Sequence, residues 1–468
     1  MDQNKGPDAV RTMTKEEIRL ATAPIPSLIM TYAVPSIISM VVMSIYNIVD
    51  QIFIGNGVGY LGNGATNVVY PIMVASMALG MLLGNGGTAF FSLRLGEKNY
   101  ADARKAVGNA AGTIAVLSVL LAVLSGIFLE PICRLFGCTD EILPYALEYG
   151  RYLIIGIPFV SVVIVLSGFI RADGSPRVAM VMMLSGAILN TILDPIFIFV
   201  FHWGVMGAAI ATSISEFLGF CIVVWYLPRF KTVRLSVRDF RPDLRILGKV
   251  CSLGASTFIA QAAMLMLIGL MNNAYVKYGA MTKYGSSIPL TAMGITSKFS
   301  QIIFSFANGT MTGAQPIIGY NYGAGNIDRV KKTYKIAAGL TVCFMVIGTV
   351  IFEVFPRQAV SLFGSESELY NEFAVRCIRI FMIMLVFNGV QASITNFFQA
   401  IGKPLYSLIL SSLRQIVLLT PAILIIPLFF GLDGVLFASP VADSLSFCIS
   451  VVFMLFQWKK LGTETHRI

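Results

Sequence analysis

The chain reads as an all-α membrane protein: twelve transmembrane helices in two parallel six-helix repeats, an N-lobe and a C-lobe around a central cavity. Three observations predict this. Of 468 residues, 56% are hydrophobic and only 12% charged, against about 25% charged in soluble domains. A chain so poor in charge cannot cover its own surface with polar groups, so the bilayer must cover it. Apolar runs of about 20 residues, the length that spans a bilayer core, recur twelve times, centred near residues 41, 79, 117, 158, 189, 216, 260, 304, 341, 386, 416 and 445. Finally, the sequence matches itself at an offset of 227 residues.

In chain order, a mostly polar tail fills residues 1–26. It shows no short apolar stretch ending in a small-residue cleavage site, so no cleavable signal is expected. Six runs occupy residues 27–227, a basic polar linker 228–249, six more runs 250–457, and a polar tail 458–468. The self-match sets Gly96 on Gly323, Asn99 on Asn326, Ala110-Ala-Gly112 on Ala337-Ala-Gly339 and Leu135-Phe-Gly137 on Leu362-Phe-Gly364. Further on it sets Gly204, Gly207 and Glu216 on Gly431, Gly434 and Asp443. One residue slips in between, where Ala172-Asp-Gly-Ser-Pro176 meets Ala400-Ile-Gly-Lys-Pro404. An even number of spans per repeat starts both halves on the same side, so the halves are parallel. Duplicated transporters keep their sites near the midplane and work by rocking one bundle against another.

The net charge is +10, and its distribution says what it is for. With the N-terminus cytoplasmic, the even-numbered loops and both tails hold 25 of the 34 lysines and arginines and the opposite loops hold 7; Lys298 and Arg414 fall inside runs. That is the positive-inside pattern of a multi-pass protein in the plasma (inner) membrane with both termini cytoplasmic. The densest patch, Arg229 to Lys249, lies in the linker and reads as charge beside lipid headgroups; it has no aromatic-interleaved module for nucleic acid. The seven cysteines are scattered, without metal spacing or an even framework, and read as free buried thiols. The two histidines, His202 and His466, have no neighbours suited to a metal site or a catalytic base.

Asp50 and Asp194 break this apolar pattern. Each sits inside a long run, Ser27 to Gly55 and Val178 to Phe201. An ionisable group at membrane depth costs roughly 2.5–3.5 kcal/mol on insertion scales and marks an ion or substrate path by default. Asn or Gln would serve helix packing without that cost, so two carboxylates point to a machine that binds and releases a cation.

These features together resemble the multidrug and toxic compound extrusion (MATE) transporters along nearly the whole chain. The six-plus-six layout agrees, as do Val49-Asp-Gln-Ile-Phe-Ile-Gly55, Asn190-Thr-Ile-Leu-Asp-Pro195 and Gly313-Ala-Gln-Pro-Ile-Ile-Gly-Tyr-Asn-Tyr-Gly323. The resemblance implies a secondary antiporter that exports organic, often cationic, compounds in exchange for H⁺ or Na⁺ and needs no other cofactor. By motif, Asp50, Asn190 and Asp194 look like the family's N-lobe cation site, and Thr212 matches a further polar member of it. One branch of the family carries a glutamate in span seven and an aspartate in span ten. Here those places read Phe258-Ile-Ala-Gln261 and Asn388-Gly-Val-Gln391, which is closer to the DinF/MepA-like branch.

Helix geometry adds its own reading. Positions i and i+4, or i and i+3, share a face, so Asn190 and Asp194 point the same way, and Asn47 and Asp50, three apart, do likewise. Pro195 lacks an N–H and frees the carbonyl of Thr191. Oxygens from carboxylates, an amide and a hydroxyl suit Na⁺ or a proton, and a bound ion cancels the charge that would hold a cationic compound. Asn47, Gln51, Glu216, Asp443 and Arg414 are further candidates for a substrate or cation path. For Glu216 and Asp443 the alternative is pairing with polar neighbours, and for Arg414 pairing with an acid. The 22 methionines and 33 phenylalanines fit a pliable cavity, although most must pack or face lipid.

A primary pump is excluded by the lack of a Gly-x-x-x-x-Gly-Lys-Ser/Thr loop, and an enzyme by the lack of any nucleophile–base or metal constellation. The rival reading is a lipid or glycan-lipid flippase of the wider exporter superfamily, which would more often have fourteen spans and a cationic cavity. The expected partners are small organic cations and the bilayer, not nucleic acid, and the expected state is a monomer.

Overall fold

The computed structural model describes residues 13–285, 287–361 and 368–464. The Leu362-Phe-Gly364 half of one repeat match, His466 and the far ends of both tails lie outside the described residues. Among the described residues all regular secondary structure is helical, and ten stretches are long and apolar enough to cross a membrane.

One of the ten, Pro404–Leu461, is 58 residues long. Gly431, with φ 57° and ψ −133°, breaks it, so that the chain doubles back and makes spans eleven and twelve. Ser287–Gly323, another 37 helical residues, supplies the eighth span; its many serines, threonines and amides make it less apolar than the rest. The remaining spans run Ile25–Val58, Tyr60–Gly96, Tyr100–Ile127, Leu143–Ala172, Pro176–Pro195, Gly204–Tyr226, Leu244–Gly279 and Ile327–Val354. Span ten is Glu368–Ile383 and Leu385–Ala400, divided at Met384. The twelve-helix, two-repeat class expected from the sequence is therefore the class found.

How the cores are shared sets the shape of the molecule. Near the end that carries the termini and the linker, one cluster holds N-lobe residues such as Phe91 and Phe169 together with Val250, Leu253, Ile317 and Tyr320 of the C-lobe. Towards the opposite end the cores separate. One contains only N-lobe residues, from Ile54 to Ala209, and the other only C-lobe residues, from Leu267 to Ala442. Glycine makes the shared end possible: a Cβ on Gly254 of span seven would collide with the main chain of Leu82 in span two, and one on Gly313 of span eight with the main chain of Ala33 in span one. Such close helix approach is how small residues drive packing in membranes. Ser44 and Ser305 share a hydrogen bond across spans one and eight, and Gln315 Nε2 donates to the Asn85 carbonyl at 3.3 Å. The lobes are joined at the linker end and part towards the other.

Both polar segments are more ordered than a tail and a tether. Lys15–Thr22 is a helix started by a Thr14/Glu17 capping box, with Leu20 buried in the shared core. It bridges the lobes: Glu16 pairs with Lys231 of the linker at 3.6 Å, while Arg329 of span nine donates to the carbonyls of Leu20 and Ala23 at 3.0 and 2.7 Å. The linker lies folded on the N-lobe. Asp173 accepts from Lys231 N, Thr232 N, Thr232 Oγ1 and Tyr226 Oη at 2.6–2.8 Å, and Asn109 Nδ2 donates to the carbonyls of Asp239 and Arg241 at 2.9 and 3.1 Å. The cysteines are all free, but only Cys133 and Cys377 are buried, and Cys221, Cys343 and Cys448 are exposed. This corrects the expectation of buried thiols: a thiol behaves as a small apolar group and tolerates lipid as well as a core.

Candidate functional site

The site begins with the turn between spans five and six. Pro195 cannot donate to the helix, and the chain after it widens into a π turn, Ile196–Val200, a distortion that recurs at functional sites. His202 (φ 56°) and Gly204 (φ 54°) then reverse the chain. Gly186 lets span six approach, its Cβ position lying 3.3 Å from the Ser215 carbonyl. Span six thereby returns beside span five with Thr212 facing Asn190.

Asp194 is fully buried, Asn190 and Thr212 are buried beside it, and Asp50 is half-buried on span one. In the amide orientation that satisfies both neighbours, Asn190 donates to Asp194 Oδ2 at 2.7 Å and accepts from Thr212 Oγ1 at 3.2 Å. The carboxyl groups of Asp50 and Asp194 lie close enough to interact directly. Asp50 Oδ1, itself buried, has no hydrogen-bond partner. Four residues from three spans thus cluster, Asn190 linking Asp194 to Thr212 and Asp50 beside Asp194.

Two residues absent from the sequence expectations stand close by. Tyr46 and Tyr149 both lie near enough to feel the charge of Asp50 and Asp194. Tyr46 was legible, being four residues before Asp50 and so on its face. Tyr149, near the start of span four, carried no such signal; only the packing of span four brings it in.

The other candidates separate. Asn47 is exposed and donates to the Met43 carbonyl of its own helix at 2.7 Å, and Gln51 is exposed as well, so neither joins the cluster. Arg414 Nε donates to Asp443 Oδ1 at 2.8 Å, so these two neutralise each other within the C-lobe. Glu216 is half-buried and lies near Tyr46. Gln391 is buried, with Nε2 bonded to Thr395 Oγ1 and the Leu410 carbonyl at 3.3 Å each, which occupies it in helix packing.

A duplicated, two-lobed helical bundle with a carboxylate pair at membrane depth defines a membrane transporter. The MatE family model matches residues 35–196 and again 257–424, once in each lobe, and the chain belongs to that family, the MATE transporters. It is similar to the multidrug export protein MepA of Staphylococcus haemolyticus strain JCSC1435, 29% identical over 424 residues, covering 89% of this chain and 90% of the relative. MepA of Staphylococcus aureus strain MSSA476 is 27% identical over 450 residues, covering 95% and 97%. Among solved structures, a MOP superfamily transporter from Pyrococcus furiosus superposes with TM-score 0.89 at 23% identity over 97% of this chain and all of that one. An outward-facing multidrug resistance MATE family transporter does so with TM-score 0.86 at 24% identity, with the same coverage. At these identities the two structures speak for the fold alone.

Proposed function

We propose that this protein is a secondary active antiporter that exports organic, cationic amphipathic compounds in exchange for H⁺ or Na⁺ by alternating access. One observation carries the reading: Asp50 and Asp194 lie within direct electrostatic reach of each other inside the N-lobe while Asp50 Oδ1 lacks a partner. Two carboxylates this close repel strongly where the dielectric is low, so the pair needs a proton or a cation between them. The carboxylate oxygens, the Asn190 amide and the Thr212 hydroxyl are hard oxygen donors of the kind small hard cations take.

The names of the MepA relatives support multidrug export. The basic end, where the lobes are joined, is taken as cytoplasmic by the positive-inside pattern, which makes this conformation open to the outside. Rocking the lobes about the linker end would expose the site to the cytoplasm. An ion on the pair removes negative charge from the N-lobe, so ion and cationic compound oppose each other, and by linkage each weakens the other's binding by the same factor. The protein is taken to act as a monomer in the plasma membrane. The test is transport in proteoliposomes with ΔpH and Na⁺ gradients imposed separately. Export of an organic cation driven by one of them is the expected result; no response to either would overturn the reading.

A further inference from the structure

The two repeats place an acid at the same point of their last helices, and they treat it differently. In the C-lobe Asp443 is neutralised by Arg414 at 2.8 Å. In the N-lobe Glu216 makes no hydrogen bond or ion pair with any described residue. It does not escape into lipid either. On span six the buried face carries Ala208, Thr212, Ser215 and Gly219, and the opposite face carries the exposed Ile214, Phe217, Cys221 and Trp225. With 100° per residue, Glu216 falls on the buried side, and Tyr46 of span one lies within electrostatic reach of it. Thr212 to Glu216 is one turn towards the linker end, and so is Asp50 to Tyr46. Glu216 and Tyr46 therefore form a second layer beneath the Asp50–Asp194 layer.

A carboxylate inside the bilayer without a counter-charge is costly, and a buried charge is retained only where something pairs with it. In this lobe the chain does not supply the partner. We propose that Glu216 is the docking point for the positive centre of an organic cation, with the Tyr46 ring beside it, distinct from the carboxylate pair that takes the coupling ion. A cation against a carboxylate and an aromatic face gains from both. A neutral molecule of the same shape gains from neither. This rests on the antiport reading above and assigns its substrate charge to one residue.

The experiment uses the full chain in lipid nanodiscs, with tetraphenylphosphonium as the cation and triphenylphosphine oxide as an uncharged relative. Glu216→Gln should weaken tetraphenylphosphonium binding at least tenfold and leave triphenylphosphine oxide unchanged, and Glu216→Asp should restore most of the cation affinity. Equal loss for both ligands would reveal a merely structural role, and unchanged cation affinity would remove Glu216 from the site; either overturns the proposal. Gradient-driven transport of tetraphenylphosphonium by the wild type separates the two levels. If it occurs and Glu216→Gln binds normally, only the assignment to Glu216 fails; if it never occurs, the antiport reading fails with it.

Discussion

Arg414 Nε meets Asp443 Oδ1 at 2.8 Å, so in the C-lobe this acid is neutralised within the chain, whereas its N-lobe counterpart Glu216 has no hydrogen bond or ion pair with any described residue. Both members are largely shielded, with 21% and 6% side-chain exposure. Removing either alone, as Arg414→Gln or Asp443→Asn, should destabilise the protein by about 3 kcal/mol, because a lone buried charge remains. Arg414→Met with Asp443→Leu should recover most of that loss. Thermal unfolding in detergent reads the difference; single variants as stable as the wild type would show the pair to be dispensable.

Asp50→Asn and Asp194→Asn should each abolish ion-coupled export while leaving insertion and folding intact. Asparagine keeps size and hydrogen bonding but cannot take up a proton. Wild-type efflux from purified, monodisperse Asp50→Asn protein would remove the residue from the coupling site.

Asp173 anchors the linker outside the membrane spans, and its four donors make it the most heavily bonded carboxylate described. Asp173→Ala leaves those donors unpaired and should cost on the order of 3 kcal/mol. Burial raises its carboxyl above the ordinary carboxylate value, and the hydrogen bonds from Thr232, Lys231 and Tyr226 pull it down only in part. A folded-state value above the unfolded one means that the folded protein binds the proton more tightly. The associated stability is full at low pH and is lost as pH rises through the folded value. Melting temperature should show this slope in the wild type, and Asp173→Asn should flatten it.

The N-terminal helix ties the lobes through Arg329, whose Nη2 holds the Leu20 and Ala23 carbonyls. Arg329→Ala should loosen the joined end and shift the population towards the cytoplasm-open form. Accessibility of a cysteine placed at Ala89, buried in the shared core, to a cytoplasmic thiol reagent should rise severalfold. Unchanged labelling would show that the helix does not restrain the lobes.

The number and order of the spans, the duplication, the basic end and the two misplaced aspartates were all legible in the sequence. Each depends on composition or on spacing along one helix, and the bilayer enforces both: it demands about 20 apolar residues per crossing and penalises a stray charge wherever it falls. The pairing of Asn190 with Asp194 followed from the same logic, since four residues make one turn.

Only the tertiary structure decided which helices face each other. It brought Tyr149 near the carboxylates, left Asn47 and Gln51 exposed rather than bonded to them, matched Arg414 with Asp443 across the bend at Gly431, and left Glu216 without a match. It also made a bridging helix out of part of a polar tail. The physical reason is that contacts between spans depend on helix rotation, tilt and the close approach that residues such as Gly186 and Gly254 permit. Apolar runs are nearly interchangeable in lipid, so the order of residues within each run says little about which neighbour it will meet.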